Sequence, residues 1–164
     1  VNSQLLELAQ GIKFYLDDEK TQDNIMLLKK LLTFQEVSGQ ERALVVLLNR
    51  NQESLKNLEK LENIWEIQDN IHQNIKIISD GSDLFSKINS IDKKSDTLYI
   101  QDIKQSIKNL SNTKFSINKK FWFEKASNRI NDYHALGRHI FSQIEVDIKN
   151  KNSKLYYQST INNR

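Results

Sequence analysis

Proline is absent from all 164 residues, and glycine occurs only at Gly11, Gly39, Gly81 and Gly137. Proline removes a backbone donor and clashes with the preceding helical turn, while glycine weakens a helix through its conformational freedom. A β-sandwich of this length needs turn residues every 8–12 positions. The chain therefore reads as all-α, an extended bundle of five to seven helices with two long ones. Its hydrophobic content of 38% and mean hydropathy of −0.63 fit helices that expose wide polar faces. The length suits one domain spanning 1–164, with no repeat or linker to divide it.

Apolar spacing sets the individual helices. Ser3 can cap a helix over residues 4–17 that carries Leu5, Leu8, Ala9, Ile12 and Leu16. Thr21 or Asp23 opens a second, with Ile25, Leu28, Leu31 and Leu32 as its stripe. "SGQE" at 38–41 has the form of a capping box, Ser38 capping and Glu41 reaching back, and predicts a new helix there. No breaker follows until Gly81, so a helix of about 40 residues, spanning about 60 Å, is expected, with a bend near "NRNQES". In "SDGSD", Gly81 suits the left-handed end of a helix and Ser82 the cap of the next, which "DKKSD" closes. Ser95 or Asp96 starts another helix, holding Leu98, Ile100, Ile103, Ile107 and Leu110. The last helix has the most regular seam: Ala126, Ile130, Tyr133, Gly137, Ile140, Ile144 and Ile148. Gly137 would let a neighbouring helix approach closely, and the tail after Asn150 can prolong the helix.

Composition narrows the chemistry. Without cysteine there is neither disulfide nor thiolate, which suits a reducing compartment and equally an extracellular helical protein. No apolar run approaches the roughly 18 residues that span a bilayer. No signal peptide is visible behind Val1, so a mature chain or fragment is expected, with any anchor upstream. Lysine outnumbers arginine 19 to 5, the bias of an AT-rich bacterial genome. Residues 1–82 carry 9 basic and 13 acidic groups, whereas residues 83–164 carry 15 basic and 8 acidic. Acidic and basic helices can attract each other within the bundle, or the C-terminal half can offer a basic face to an acidic partner.

No catalytic signature is present: no Gly-x-Ser-x-Gly, no phosphate-cradling glycine loop and no HExxH. His134 and His139 lie five apart, on different sides of a helix, and Asp69 with His72 forms an ordinary one-turn pair. A di-metal bundle site needs Glu-x-x-His on facing helices, and none occurs. Neither an enzyme nor a cofactor or metal is expected. Lys114, Lys119, Lys120, Lys125 and Arg129, interleaved with Phe115 and Trp122, have the ingredients of a single-strand nucleic-acid platform. The acidic first half, the moderate pI near 9.0 and the lack of a helix-turn-helix weigh against it.

"NKKFWFEKASNR" at 118–129 sets three consecutive aromatics between lysines. Successive side chains on a helix stand about 100° apart, so Phe121, Trp122 and Phe123 cannot share a face. One reading makes them a corner plug of the core, with Phe115 and Phe121 stapling the helix start. The other makes Trp122, Lys125 and Arg129 one interface face, with Lys119 and Lys120 adding electrostatic steering and Arg138 one further cation on the same helix.

The Lys/Asn/Ile-rich helical style of "LFSKINSIDKKSDTLYIQDIKQSIKNL" at 84–110 and "RINDYHALGRHIFSQIEVDIKNK" at 129–151 resembles the helical surface lipoproteins of Lyme-disease and relapsing-fever spirochaetes, the OspEF-leader-peptide group above all. That resemblance implies lipid-anchored display on the bacterial outer surface, immune evasion and binding of a host serum protein. Its favoured form is inhibition of classical-pathway complement serine proteases, with Arg129, Arg138 or Lys125 reaching an acidic specificity pocket. The alternatives it leaves are factor H, fibronectin or a glycosaminoglycan. Outside that resemblance stand an intracellular scaffold and a nucleic-acid binder.

Overall fold

The structure, a computed structural model, describes residues 19–48, 54–109 and 116–162, the last ten or so and a few others by backbone alone. Five helices fill the described residues: α1 Glu19–Leu48, α2 Ser54–Ser79, α3 Asp83–Asp92, α4 Ser95–Lys108 and α5 Lys119–Asn162. The all-α bundle expected from the missing proline is what forms. Three helices are long rather than two, at 30, 26 and 44 residues.

Cross-helix contacts fix the directions. Phe34 of α1 meets Tyr133 of α5 at 4.4 Å between ring centroids, and Arg42 of α1 bonds Ser127 of α5. Phe34 also stands 6.2 Å from His72 of α2, while Glu41 is bonded to Trp65 of the same helix. Numbers rise on α1 as they fall on α2 and α5, so both run antiparallel to it. Lys94, Asp96 and Tyr99 likewise meet Asp132, Lys125 and Phe121. α3 and α4 therefore form a fourth, broken rod antiparallel to α5. Among the described residues the architecture is a four-rod up-and-down bundle.

The local chemistry explains the breaks. Gly81 takes φ of 71°, the left-handed conformation expected of it, and Ser82 caps α3 by accepting from the Phe85 amide. The capping box at Ser38 does not form. α1 runs straight through "SGQE", and Ser38 and Glu41 are both buried in mid-helix. The expected 40-residue helix is two antiparallel helices, α1 and α2, on either side of residues 49–53. Residues 4–17, Phe115 and Leu110 lie outside the described residues. Leu98, placed inside by its spacing, is exposed. A Cβ at Gly137 would meet Gln35 and Leu28 at ordinary distances of 3.6 and 3.7 Å, so this glycine does not serve a close helix approach.

Among the described residues the core comes in two apolar blocks. One joins Leu28, Leu31, Phe34, Ile75, Ile88, Tyr133 and Ile140, and the other joins Val45, Leu61, Trp65, Ile100, Ile107, Trp122 and Ala126. What separates them is polar.

Candidate functional site: a polar layer between two apolar cores

Each rod places polar residues at positions its helical period assigns to the interior. On α1 the inward stripe is Leu31, Phe34, Ser38, Glu41 and Val45, at spacings of three and four. On α5 it is Trp122, Ala126, Arg129, Tyr133, Leu136 and Ile140. Gln68 on α2 and Thr97 on α4 occupy equivalent buried positions. The four stripes align, so Ser38, Glu41, Gln68, Thr97 and Arg129 meet at one level of the bundle.

Glu41 is the hub, only 1% exposed. Its Oε1 accepts from the Trp65 indole N–H at 2.8 Å, and its Oε2 accepts from Gln68 Nε2 at 2.9 Å and from Arg129 Nη2. Ser38 Oγ takes second bonds from Gln68 at 3.2 Å and Arg129 at 3.5 Å. Phe34 lies 5.7 Å beneath the Arg129 guanidinium. Burying such a pair strips both ions of water, and apolar residues of equal volume often do as well or better. Stability alone is a weak reason for this layer.

Beside it lies a cavity of about 70 Å³, walled by Gln68, His72, Thr97, Lys104, Arg129 and Tyr133 over Phe34 and Ile100. Two wall groups are buried without a hydrogen-bond partner, Arg129 Nε and Thr97 Oγ1. Lys104 joins the wall from α4 and grips Asp69 of α2 through both carboxylate oxygens, at 2.8 and 2.9 Å. Its Nζ also rides 5.7 Å above the Trp65 ring. At the other side His72 Nε2 and Lys76 Nζ hold the two oxygens of Asp92, at 2.9 and 2.7 Å. Burial raises the Asp92 pKa, but these two bonds outweigh it and hold the carboxyl below its usual range. Burial, helped by the Asp92 charge, pushes the Tyr133 phenol well up, which keeps it a hydroxyl. The one-turn pairing of Asp69 with His72 does not form, since each finds a partner on α4 or at the end of α3.

Two residues of the wall, Arg129 and Thr97, thus each carry a buried polar atom without a partner, beside the Lys104 ammonium. A buried donor left unpaired is costly, so a small acceptor that fills the space recovers that cost. About 70 Å³ exceeds the roughly 10–15 Å³ that a single water needs and leaves room for a compact ion of a few heavy atoms.

The basic, aromatic face expected at 119–138 does not assemble as an interface. Trp122 is 1% exposed and donates its indole N–H to the Arg42 carbonyl at 3.0 Å. Arg129 is 7% exposed, turned inward to Glu41. Lys125 pairs with Asp96 at 2.7 Å and covers the Phe121 ring. That bond raises the Lys125 pKa and lowers that of Asp96. Lys120 and Arg138 are exposed and Lys119 half-buried, and Arg138 edges a groove between α1 and α5 far from Trp122's position. The corner-plug reading of Trp122 holds, while Phe121 and Phe123 stay half-exposed, Phe123 beneath the Arg42 guanidinium. Spacing alone missed Glu41, Gln68, Thr97, Trp65 and Lys104. The signal was there: a polar residue at a core position on each rod.

The geometry is that of a helical bundle with a small, partly polar cavity among its rods. The chain belongs to the family described as nitrate and nitrite sensing, which it matches over residues 1–145. No curated protein and no solved structure matches it. The family overturns the spirochaete-lipoprotein resemblance, and with it immune evasion, complement inhibition and the host serum partner. Display on the outer surface rested on that resemblance and loses its support. Among the described residues no helix is long and apolar enough to cross a membrane.

Proposed function

We propose that this chain is the sensing part of a signalling protein, and that it holds a small inorganic oxyanion, nitrate or nitrite, in the polar layer without turning it over. The observation that carries this is Arg129, a buried guanidinium on a small cavity with its Nε–H unpartnered. Family membership supplies the ligand class.

A guanidinium presents coplanar N–H donors that suit a planar oxyanion, and in a partly dry cavity the attraction is stronger than in water. Arg129 is the anchor and the Thr97 hydroxyl a second donor from the facing rod. Lys104 stands in the cavity wall. Its partner Asp69 has a side chain 67% exposed, so releasing that carboxylate to water costs little and frees the ammonium for the anion. Ser38, bonded in turn by Gln68, accepts from the guanidinium at 3.5 Å and helps to hold it in register.

Titration with sodium nitrate and sodium nitrite, at constant ionic strength made up with chloride, tests the reading. Calorimetry should show one saturable site per chain, and the melting temperature should rise with anion. At a hundredfold excess over Kd the gain is about 2.7 kcal/mol. Thr97→Val removes the hydroxyl at nearly constant volume and should weaken nitrate binding by about 1 kcal/mol while leaving anion-free stability almost unchanged. Nitrate and nitrite acting no differently from chloride would refute the proposal.

A further inference from the structure

Among the described residues, the cations in or beside the cavity wall already have carboxylates. Lys104 is held by Asp69, Lys76 by Asp92, and Arg129 by Glu41. The first two carboxylates reach solvent in part, but Glu41 does not. It is a planar oxyanion sealed against the guanidinium that the external anion needs, and it takes donors from Trp65, Gln68 and Arg129 as a bound anion would. We propose that Glu41 is a built-in competitor, an internal surrogate anion whose charge weakens the site for the external one and so sets the concentration at which the domain responds. This rests on the Arg129 cavity being the anion site.

Three features support it. Without Glu41 the buried guanidinium would stand uncompensated at a cost, which an oxyanion matching its planar donors recovers. Ser38, itself bonded by Gln68, also accepts from Arg129 Nη2 at 3.5 Å, so the guanidinium does not depend on Glu41 alone for its position. Last, Glu41 belongs to α1 and Arg129 to α5, the two longest helices, so any anion that draws charge from Arg129 loosens a contact between them. Competition and signal then share one bond.

The test compares the native chain with Glu41→Gln and Glu41→Asp, using nitrate with chloride as control. The amide keeps an acceptor oxygen for Trp65 or Gln68 but removes the charge. Two like charges both within a few ångströms of Arg129 repel enough, at an effective dielectric near 20, to predict roughly tenfold to hundredfold tighter nitrate binding by Glu41→Gln. Glu41→Asp, whose carboxylate is withdrawn by one methylene, should fall between the two. If Glu41→Gln melts too low to titrate, its melting temperature should climb with nitrate over a lower concentration range than that of the native chain, and chloride should not reproduce the climb. Nitrate binding that is unchanged or weaker in both variants, with the native chain still binding, overturns the competitor and leaves the site standing. A native chain that ignores nitrate and nitrite removes the site itself, and the competitor with it.

Discussion

The block around Ile140 and the layer around Glu41 are both buried in the same bundle, yet they are held by different physics. Leu31, Ile75, Ile88 and Ile140 are fully enclosed and carry no polar atom beyond the backbone, so their contribution follows the area removed from water. In the layer, Glu41, Arg129, Gln68 and Ser38 are held by hydrogen bonds to one another and to the Trp65 indole. An apolar block responds to substitution in proportion to what is removed. A reciprocal layer responds to whether the partner was left behind. That difference separates scaffold from sensor: the block keeps the rods together whatever the solution contains, whereas the layer's balance can be altered by one added charge.

The largest expected effect breaks the pair on one side only. Arg129→Met leaves the buried Glu41 carboxyl without its cationic partner and with two neutral donors, and should cost about 3–5 kcal/mol of unfolding free energy in urea. Adding Glu41→Gln to that variant should recover much of the loss, because the buried charge then disappears with its partner. A double variant no more stable than the single one would mean that the layer packs rather than pairs.

Within the apolar block the response should be graded. Ile140→Val should cost about 1 kcal/mol and Ile140→Ala about 2–5 kcal/mol, read from the same urea transitions. Neither should alter the apparent affinity for nitrate, since Ile140 is not part of the cavity wall. A change in affinity at Ile140 would blur the division between block and layer.

How much of this the sequence disclosed follows the same division. Helical class, the α2–α3 turn at Gly81 and the inward seam of α5 were legible, because each depends on local chemistry or on apolar period. The layer was not. Arg129 and Lys125 look alike in sequence as cations on a basic helix, and only the positions of α1 and α4 decide that one meets the buried Glu41 and the other Asp96 near the surface. Ser38 and Glu41 match a capping box perfectly well, and tertiary partners override that local choice. Aromatic Trp122 met the same fate, since its indole N–H finds a carbonyl only after α5 docks on α1. Polarity at a core position of each rod was the readable clue, and it becomes a site only when four stripes are brought to one height.

Gly39 offers the smallest and cleanest test of that lesson. It follows Ser38 in the run that reads as a helix start, yet it sits within α1 with no heavy atom within 4 Å of where a Cβ would lie. If α1 is continuous here, Gly39→Ala fills open space, lowers the entropy of the unfolded chain and should stabilise by about 0.5–1 kcal/mol. If the chain instead broke at Ser38, alanine would extend helix where a turn is needed and the protein would lose stability. The sign of one small change in melting temperature thus decides whether Glu41 is delivered to the layer by an unbroken rod, on which its meeting with Arg129 depends.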